Sequence, residues 1–256
     1  MNLLLIIDGL NLIRRIHAAL PDEADMAALE ERSVLACRKL LRGHSPSHCA
    51  IVWDGDAISW RKQLYEDYKK GRKPMPDALA QGLPALREKL TPLGVNSVFA
   101  ESEADDVIAT LATKLVSHGG EAIIVSTDKG LLQLQSPKIR QWDHFAGQFM
   151  DIEAFENKLG IERHQYLDYL ALCGDSGNKI PGVPGIGPKS AGELLRTYRS
   201  IANLYHSLGT LGPRQAQKLR DGRELARMSY RLARLQTDLP LSLKLSDLRT
   251  LSNLTG

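Results

Sequence analysis

The sequence has few cysteines, little net charge and no long apolar run, and each shortage narrows the class of protein. It contains three cysteines, an odd number without a C-x-x-C pair, so neither a disulfide framework nor a zinc cluster is expected. Buried thiols in a reducing cytoplasm are the expected alternative. The first apolar run, from Leu3 to Ile7, is broken at Asp8 and lacks a basic flank, so it is not a signal peptide. Because no other run approaches membrane-spanning length, a cytoplasmic protein is expected.

The remaining composition is that of a folded, mildly basic protein. The chain has 256 residues, of which 43% are apolar, and this suffices for one large α/β domain or a domain with a modest appendage. The net charge of +3 neither requires nor excludes a polyanionic partner. Only the local distribution of charge can indicate whether the protein binds one.

Four short apolar segments are each followed by acidic residues. The segments have the pattern of buried strands and are Leu3–Ile7, Cys49–Trp53, Val95–Phe99 and Ala122–Ser126. The acids that follow them are Asp8, Asp54, Glu101 with Glu103, and Asp128. Strands that alternate with helices predict a parallel sheet with right-handed crossovers, whose sites lie beyond the carboxyl ends of the strands. Any one acid could be a loop residue or a helix cap, but carboxylates from four strands would repel one another unless a cation lay among them. The pattern therefore predicts a metal site.

The acidic stretch E-S-E-A-D-D, residues 101–106, lies where the third of these strands gives way to a helix. The apolar positions of that helix recur at a spacing of three and four, and they leave Asp105 and Asp106 off the core face. A structural alternative stays open here. Ser102 with Asp105 fits the S-x-x-D capping box, and acids at a helix start are favoured by the helix dipole.

A basic stretch at residues 61–73, R-K-Q-L-Y-E-D-Y-K-K-G-R-K, has six basic residues against two acids, a local charge of +4. Tyr65 and Tyr68 are interleaved with the cations. A run of this kind is usually a solvated face. Beside metal-binding acids it favours another interpretation, in which the cations hold phosphates and the tyrosine rings stack on bases.

A glycine-rich stretch at residues 174–191 reads G-D-S-G-N-K-I-P-G-V-P-G-I-G-P-K-S-A. It adds the acid Asp175, and its glycines permit a tight path into a helix that begins at Pro188. Backbone N–H groups at such a helix start can grip a phosphate without reading a base. A dinucleotide-binding turn is excluded because no buried strand enters the loop. Downstream, residues 213–235 are predicted to be helical and basic, and residues 237–256 to form a short closing segment or a partly ordered tail.

Together these motifs resemble those of the bacterial and phage 5′ nuclease family, the flap endonucleases that include the 5′ nuclease domain of DNA polymerase I. I-P-G-V-P-G-I-G-P-K-S-A and E-A-D-D-V-I-A-T-L-A are long matches, and S-T-D-K-G-L-L-Q-L resembles the family's T-x-D-K-D-x-x-Q-L. The similarity runs from Asp8 to about Leu239 and is strongest to members that stand alone without a polymerase domain.

The resemblance implies an α/β fold with a PIN-like core, a mainly parallel sheet, a helical arch and a helix–three-turn–helix module for duplex DNA. The implied domains are a catalytic core with its arch at residues 1–160 and a DNA-binding region with a closing segment at residues 161–256.

The resemblance also implies two metal sites, and at the second this chain departs from the family. The implied ligands of the first ion are Asp8, Asp54, Glu103, Asp105 and Asp106, all of them present. For the second ion, Asp128 and Asp175 are present, whereas two further family acids are replaced by Gly130 and Asn178. One firm Mg²⁺ site and a second that is weak and substrate-dependent are therefore expected.

Other implied site residues belong to the basic and glycine-rich stretches. Tyr68, Lys69 and Arg72 match the family's Y-K-x-x-R at the base of the arch, where the lysine and the arginine contact the region of the scissile phosphate. The main-chain carbonyls implied as ligands of a potassium ion are those of Leu172, Cys173, Pro181, Val183 and Ile186. The residues implied to contact the DNA phosphate bridged by that ion are Gly185, Ile186, Gly187, Pro188, Lys189 and Ser190.

The leading hypothesis is a monomeric, Mg²⁺-dependent 5′ flap endonuclease that acts on DNA with a 5′ flap or a duplex/single-strand junction in replication and repair. The alternative is a flap- or junction-binding protein whose catalysis is weakened or lost, and Gly130 and Asn178 support it. A PIN-type ribonuclease is a third hypothesis, against which the glycine-rich module for duplex binding argues.

Overall fold

A six-stranded, mainly parallel sheet organises the first part of the molecule. The structure is a computed structural model and describes residues 2–251. The strands are β1 Leu3–Asp8, β2 His48–Trp53, β3 Asn96–Phe99, β4 Glu121–Val125, β5 Ile139–Asp143 and β6 Gln148–Phe149. Their order is β3-β2-β1-β4-β5-β6, and all neighbours are parallel except β5 and β6. The carboxyl ends of β1 to β4 therefore meet at one edge of the sheet, which confirms the predicted topology.

Eleven helices accompany the sheet in the part of the chain that the structure describes. They are α1 Gly9–Ala18, α2 Met26–His44, α3 Trp60–Leu64, α4 Asp77–Leu90, α5 Ala104–Ser117, α6 Ile152–Leu159, α7 Tyr166–Cys173, α8 Pro188–Tyr198, α9 Ile201–His206, α10 Pro213–Asp221 and α11 Arg223–Ala233. Among residues 2–251, no helix combines the length and the apolar character that crossing a bilayer requires.

The chain divides into two compact units that are not contiguous in sequence. The first comprises the chain up to Ala57, Lys73–Met150 and the segment from Leu235 onward. The second comprises Ile58–Arg72 and Asp151–Arg234. The predicted boundary between residues 160 and 161 follows the chain, whereas residues 58–72 and 151–160 lie in the second unit and the segment from Leu235 onward lies in the first.

The first unit has an apolar layer on each face of its sheet. Alternate residues of β1 point to opposite faces, so Leu5 and Ile7 join one buried cluster and Leu4 and Ile6 join the other. The first cluster contains apolar residues of α1, α2 and α4, and the second contains those of α5 and of the segment from Leu235 onward. Because helices cover both faces, the strands read as continuous apolar runs in the sequence.

The second unit is helical. Its α7 packs against α8 and α11. The helix predicted at residues 213–235 is divided at Gly222 into α10 and α11. A Cβ at Gly222 would lie 2.7 Å from Cγ1 of Val183, so a close approach to that side chain requires glycine at the break.

The closing segment returns to the first unit. It contains one 3₁₀ turn, Leu245–Leu248, and the Thr250 N–H donates to the Ser47 carbonyl at 3.1 Å. The last part of the predicted closing segment, residues 252–256, lies outside the described residues.

Candidate active site

Asp8 ends β1 and caps the helix that follows. Its Oδ1 accepts the Asn11 N–H at 3.1 Å, and its Oδ2 accepts the Ser126 hydroxyl at 2.8 Å. Burial of the carboxylate raises its pKa to about 7. The two hydrogen bonds oppose that shift, whereas the negative charges of Asp54 and Asp128 add to it. The carboxylates of three strand ends therefore lie within electrostatic reach of one another, which is the arrangement that a cation would relieve.

Asp54 links the end of β2 to the start of α5. Its Oδ1 accepts the Ala104 N–H at 2.8 Å. The N-cap of α5 is Glu103, whose side chain makes no capping hydrogen bond, so the alternative of a capping box at Ser102 is wrong. The loop after β2 is held close to this helix start, because the Gly55 N–H donates to the Ser102 carbonyl.

Asp105 and Asp106 occupy the first turn of α5 in different surroundings. Asp105 is half-buried, as a ligand reachable from solvent would be. Asp106 is only 4% exposed, and its Oδ1 accepts the Gln236 N–H at 2.9 Å. The expectation that both acids lie off the core is wrong for Asp106, because the segment from Leu235 onward covers its side of the helix.

Asp128 follows β4 and begins a short 3₁₀ helix, Lys129–Leu134. Its Oδ1 accepts the Gly130 N–H at 2.7 Å, and its own N–H donates to the Ser126 hydroxyl at 3.1 Å. A Cβ at Gly130 would lie 3.1 Å from Asp128 Oδ1, so an acid at that position would stand directly beside Asp128.

The donor set suits a hard divalent cation in its chemistry but does not form a ready-made coordination shell. Among residues 2–251, no three side chains of His, Cys, Asp or Glu are already arranged to hold one ion. Four of the carboxylates each accept a hydrogen bond from a backbone N–H group at one oxygen, and these are Asp8, Asp54, Asp106 and Asp128. Each carboxylate has a second oxygen and further lone pairs, and Mg²⁺ commonly takes only one or two carboxylates together with several waters. We therefore regard the residues as fitting such an ion.

All of the basic stretch except Lys73 lies in the second unit, and its Tyr68 is buried. Tyr68 is 6% exposed and packs with Ile180 and Leu232. The interpretation of its ring as a stacking platform for bases is therefore wrong. The ring instead lies beside Lys69, whose Nζ is 5.1 Å from the ring centroid. Lys69 has a left-handed backbone, with φ of 56°, and its N–H donates to the Asn178 carbonyl at 2.9 Å.

Arg61 does not contribute to the exposed charge of this stretch. It is 2% exposed, and its guanidinium donates to the carbonyls of Leu232 and Arg234, each at 2.8 Å. Its role is to join α3 to the end of α11. The accessible positive charge of the stretch is therefore smaller than the sequence suggested.

Asp175 and Arg72 are joined through Asn178. The amide of Asn178 donates from Nδ2 to Asp175 Oδ2 at 2.7 Å and accepts from Arg72 Nη2 at its Oδ1 at 2.6 Å. Asn178, where the resemblance implies an acid, therefore places one donor toward the anion and one acceptor toward the cation. The sequence showed that position 178 lacks a negative charge. The hydrogen-bonded bridge from Asp175 to Arg72 is visible only in the folded structure.

The two glycine-rich turns meet backbone to backbone. Gly182 has φ of 65°, and a Cβ there would lie 2.4 Å from the Gly174 nitrogen. Of the carbonyls implied as potassium ligands, those of Leu172 and Val183 accept the N–H groups of Val183 and Ile186 at 2.8 and 3.0 Å. Two of the five carbonyls therefore serve the turns themselves.

The start of α8 is exposed around Gly187 and Lys189, as a phosphate-binding helix start would be. Ile186 is 5% exposed, so only its backbone could reach DNA. The Gly185 carbonyl accepts from Lys218 Nζ at 3.1 Å, which brings a cation from α10 to the same turn.

Comparison with solved structures identifies the fold. A structure described as divalent metal ions (zinc) bound to T5 5′-exonuclease matches with a TM-score of 0.78 at 21% identity, covering 92% of this chain and 90% of that one. A structure of the bacteriophage T5 D15 flap endonuclease in a pseudo-enzyme-product complex with DNA and metal ions matches with a TM-score of 0.77 at 21% identity, covering 92% of this chain and 90% of that one. The fold is therefore that of a phage 5′ nuclease.

Sequence comparison gives the family. A profile described as 5′-3′ exonuclease, N-terminal resolvase-like domain, matches residues 3–160, and one described as 5′-3′ exonuclease, C-terminal SAM fold, matches residues 161–253. A protein of Shewanella amazonensis named Flap endonuclease Xni is 81% identical over 97% of this chain and 98% of its own length. The chain belongs to the 5′-3′ exonuclease family, and the resemblance seen in its motifs is confirmed.

Proposed function

We propose that this protein is a 5′ flap endonuclease that hydrolyses phosphodiester bonds of DNA at flaps and junctions. The observation that carries the proposal is the set of acids at the carboxyl ends of four adjacent parallel strands, with Asp8 buried within the electrostatic reach of Asp54 and Asp128. The relative from Shewanella amazonensis bears the name of this activity and covers nearly the whole chain.

The acids of the first unit would hold the cation. The proposed ligands of a firm Mg²⁺ ion are Asp8, Asp54, Glu103, Asp105 and Asp106. A divalent cation bound there activates water and stabilises the charge that develops on the phosphate. Asp128 and Asp175 remain the candidates for a weaker ion, whose occupancy we expect to depend on substrate phosphate.

The residues of the second unit would bind the substrate. Lys69 and Arg72 offer cationic groups suited to a phosphate under attack. The exposed start of α8 and a potassium ion at the glycine-rich turns would hold a phosphate of the duplex. Such contacts fix the position of the duplex without reading its sequence, as a structure-specific nuclease requires.

The test compares cleavage of 5′-labelled flap, nicked and single-stranded DNA in Mg²⁺ by the wild type and by Asp105→Ala. The variant should lose cleavage and keep flap binding, because removing one of several repelling acids does not harm the fold. Asp77→Ala is the matched control, since Asp77 is an exposed acid in the first turn of α4 in the same unit. Metal-dependent cleavage by Asp105→Ala at the control rate would refute the site.

The second candidate, a flap-binding protein with weakened or lost catalysis, is favoured by one observation. Asn178 satisfies Asp175 and Arg72 without a metal, and Gly130 contributes no ligand. The same assay separates the candidates. A wild type that binds flaps but leaves them intact at every Mg²⁺ and Mn²⁺ concentration supports the binding protein and refutes the nuclease.

A further inference from the structure

One buried hydroxyl joins the two acids at the ends of β1 and β4. Ser126 is 2% exposed. Its Oγ donates to Asp8 Oδ2 at 2.8 Å and accepts the Asp128 N–H at 3.1 Å. A hydroxyl has a single proton, and the N–H of Asp128 occupies its acceptor side, so the proton is directed to Asp8. Both the Asp8 carboxylate and the backbone that carries Asp128 are thus oriented by the same atom.

A second buried side chain holds the same loop from β5. Gln141 is 1% exposed, and its amide donates to the carbonyls of Ser126 and Asp128 at 2.8 and 2.7 Å. Its Oε1 is buried without a hydrogen-bond partner among residues 2–251. A buried acceptor left unpaired is unfavourable, and in this fold that cost accompanies the two hydrogen bonds that the amide donates to the loop.

The Asp8 carboxylate is held from both sides. The Asn11 N–H binds Oδ1 and the Ser126 hydroxyl binds Oδ2, so rotation of the carboxylate plane breaks a hydrogen bond in either direction. Without the hydroxyl only the Asn11 contact would fix that plane. The remaining lone pairs of the carboxylate, which a cation would use, are aimed by this pair of contacts.

We propose that Ser126, supported by Gln141, is a positioning residue that orients Asp8 and the Asp128 loop toward a divalent cation. This inference rests on the proposed function, because it takes these acids to be metal-binding. Partners that orient metal ligands in this way typically contribute about 10- to 100-fold to metal affinity. The hydroxyl acts through Asp8 and the Asp128 loop and is not itself a metal ligand.

The experiment measures Mg²⁺ affinity of DNA-free protein by calorimetry for the wild type, Ser126→Ala and Ser126→Thr. Ser126→Ala should bind Mg²⁺ about tenfold more weakly, and the Mg²⁺ midpoint of cleavage should rise by about the same factor. Flap binding in EDTA should not change. Ser126→Thr keeps the hydroxyl and should recover the affinity.

Ser33→Ala is the matched control. Ser33 is a fully buried serine on α2, and its hydroxyl donates to the Leu29 carbonyl at 2.7 Å. Ser33→Ala removes a buried hydroxyl and the hydrogen bond it donates, away from the strand-end acids, whereas Ser126→Ala removes one donated and one accepted hydrogen bond beside them. A loss of Mg²⁺ affinity caused only by general destabilisation would therefore appear in both variants. Equal Mg²⁺ affinities for the two alanine variants, with a wild type that binds Mg²⁺ and cleaves, would overturn the inference alone. A wild type that binds no Mg²⁺ would overturn the metal site and the inference together.

Discussion

Arg72 and Asn178 are joined by a hydrogen bond of 2.6 Å between Nη2 and Oδ1, and the same amide donates to Asp175 at 2.7 Å. The amide therefore lies between a cation and an anion and satisfies both. A carboxylate at position 178 would keep the contact with Arg72 but would face Asp175 with a like charge. The asparagine thus allows this loop to form without a divalent ion.

Asn178→Asp should make the loop respond to Mg²⁺. In EDTA, the lost hydrogen bond and the repulsion from Asp175 should lower the melting temperature by about 2 to 4 °C, the shift that corresponds to roughly 1 kcal/mol in a chain of this size. Added Mg²⁺ should restore most of this loss by lying between the carboxylates. Asn178→Ala loses the hydrogen bond with Asp175 and also the one with Arg72 without adding charge, so its melting temperature should respond to Mg²⁺ only as the wild type does. Equal responses of the two variants would contradict the prediction.

Lys69→Ala should slow cleavage more than it weakens binding. A contact that strengthens as charge develops on the phosphate lowers the barrier, and loss of one such group typically reduces the rate by about 100-fold. The single-turnover rate at saturating protein and the equilibrium affinity for a flap give the two quantities. Lys70→Ala is the control, because Lys70 is exposed and pairs with Asp67 at 2.6 Å. If rate and affinity fall by the same factor, Lys69 is an ordinary phosphate contact.

Potassium should tighten binding to DNA that contains a duplex, compared at equal ionic strength with a large organic cation. Carbonyls packed around Gly174 and Gly182 suit a weakly hydrated monovalent ion that also meets a phosphate. General screening lowers affinity and does not depend on the cation in this way. A single-stranded oligonucleotide is the control and should show no preference. If the affinity for duplex DNA is the same in potassium and in the organic cation, the result would count against the potassium site.

The three thiols should react slowly in the native protein. Burial raises the pKa of Cys37 to about 12, that of Cys49 well above its usual value, and that of the half-buried Cys173 to about 11. The thiolate is the reactive form, so a raised pKa lowers the reactivity of each thiol at pH 8. A disulfide reagent should modify Cys173 first and all three only after unfolding. Rapid modification of two or more thiols in the folded protein would show that the first unit opens easily.

Local sequence patterns predicted which acids lie at the edge of the sheet. They did not predict what surrounds each individual side chain. The strands before Asp8, Asp54 and Asp128 were predictable because a continuous apolar run followed by an acid is a local signal. The burial of Asp106 was not, since it depends on Gln236, 130 positions along the chain. Strand β5 was missed because its five residues, I-R-Q-W-D, include only two apolar residues and form neither an apolar run nor a regular alternation.

The same limit applies to the basic stretch. Arg61 and Tyr68 look like surface residues in a charged run, but tertiary contacts with Leu232 bury both. Ser126 and Gln141 carry no signal of their own in the sequence, because a serine or a glutamine near a strand is usually a solvent-facing residue. Only the parallel order of β1, β4 and β5 brings them to the acids.

The segment from Leu235 onward has a consequence for how the chain is made. Gln236 caps the Asp106 carboxylate, and the Leu239 carbonyl accepts from Lys114, so the first unit contains residues synthesised after the whole of the second. Domains commonly fold from the N-terminus during synthesis. Here the first unit reaches its native contacts only when these late residues have left the ribosome. A nascent chain therefore carries the acids that follow β1 to β4 long before it can arrange them, and nuclease activity is delayed until the segment from Leu235 onward has emerged.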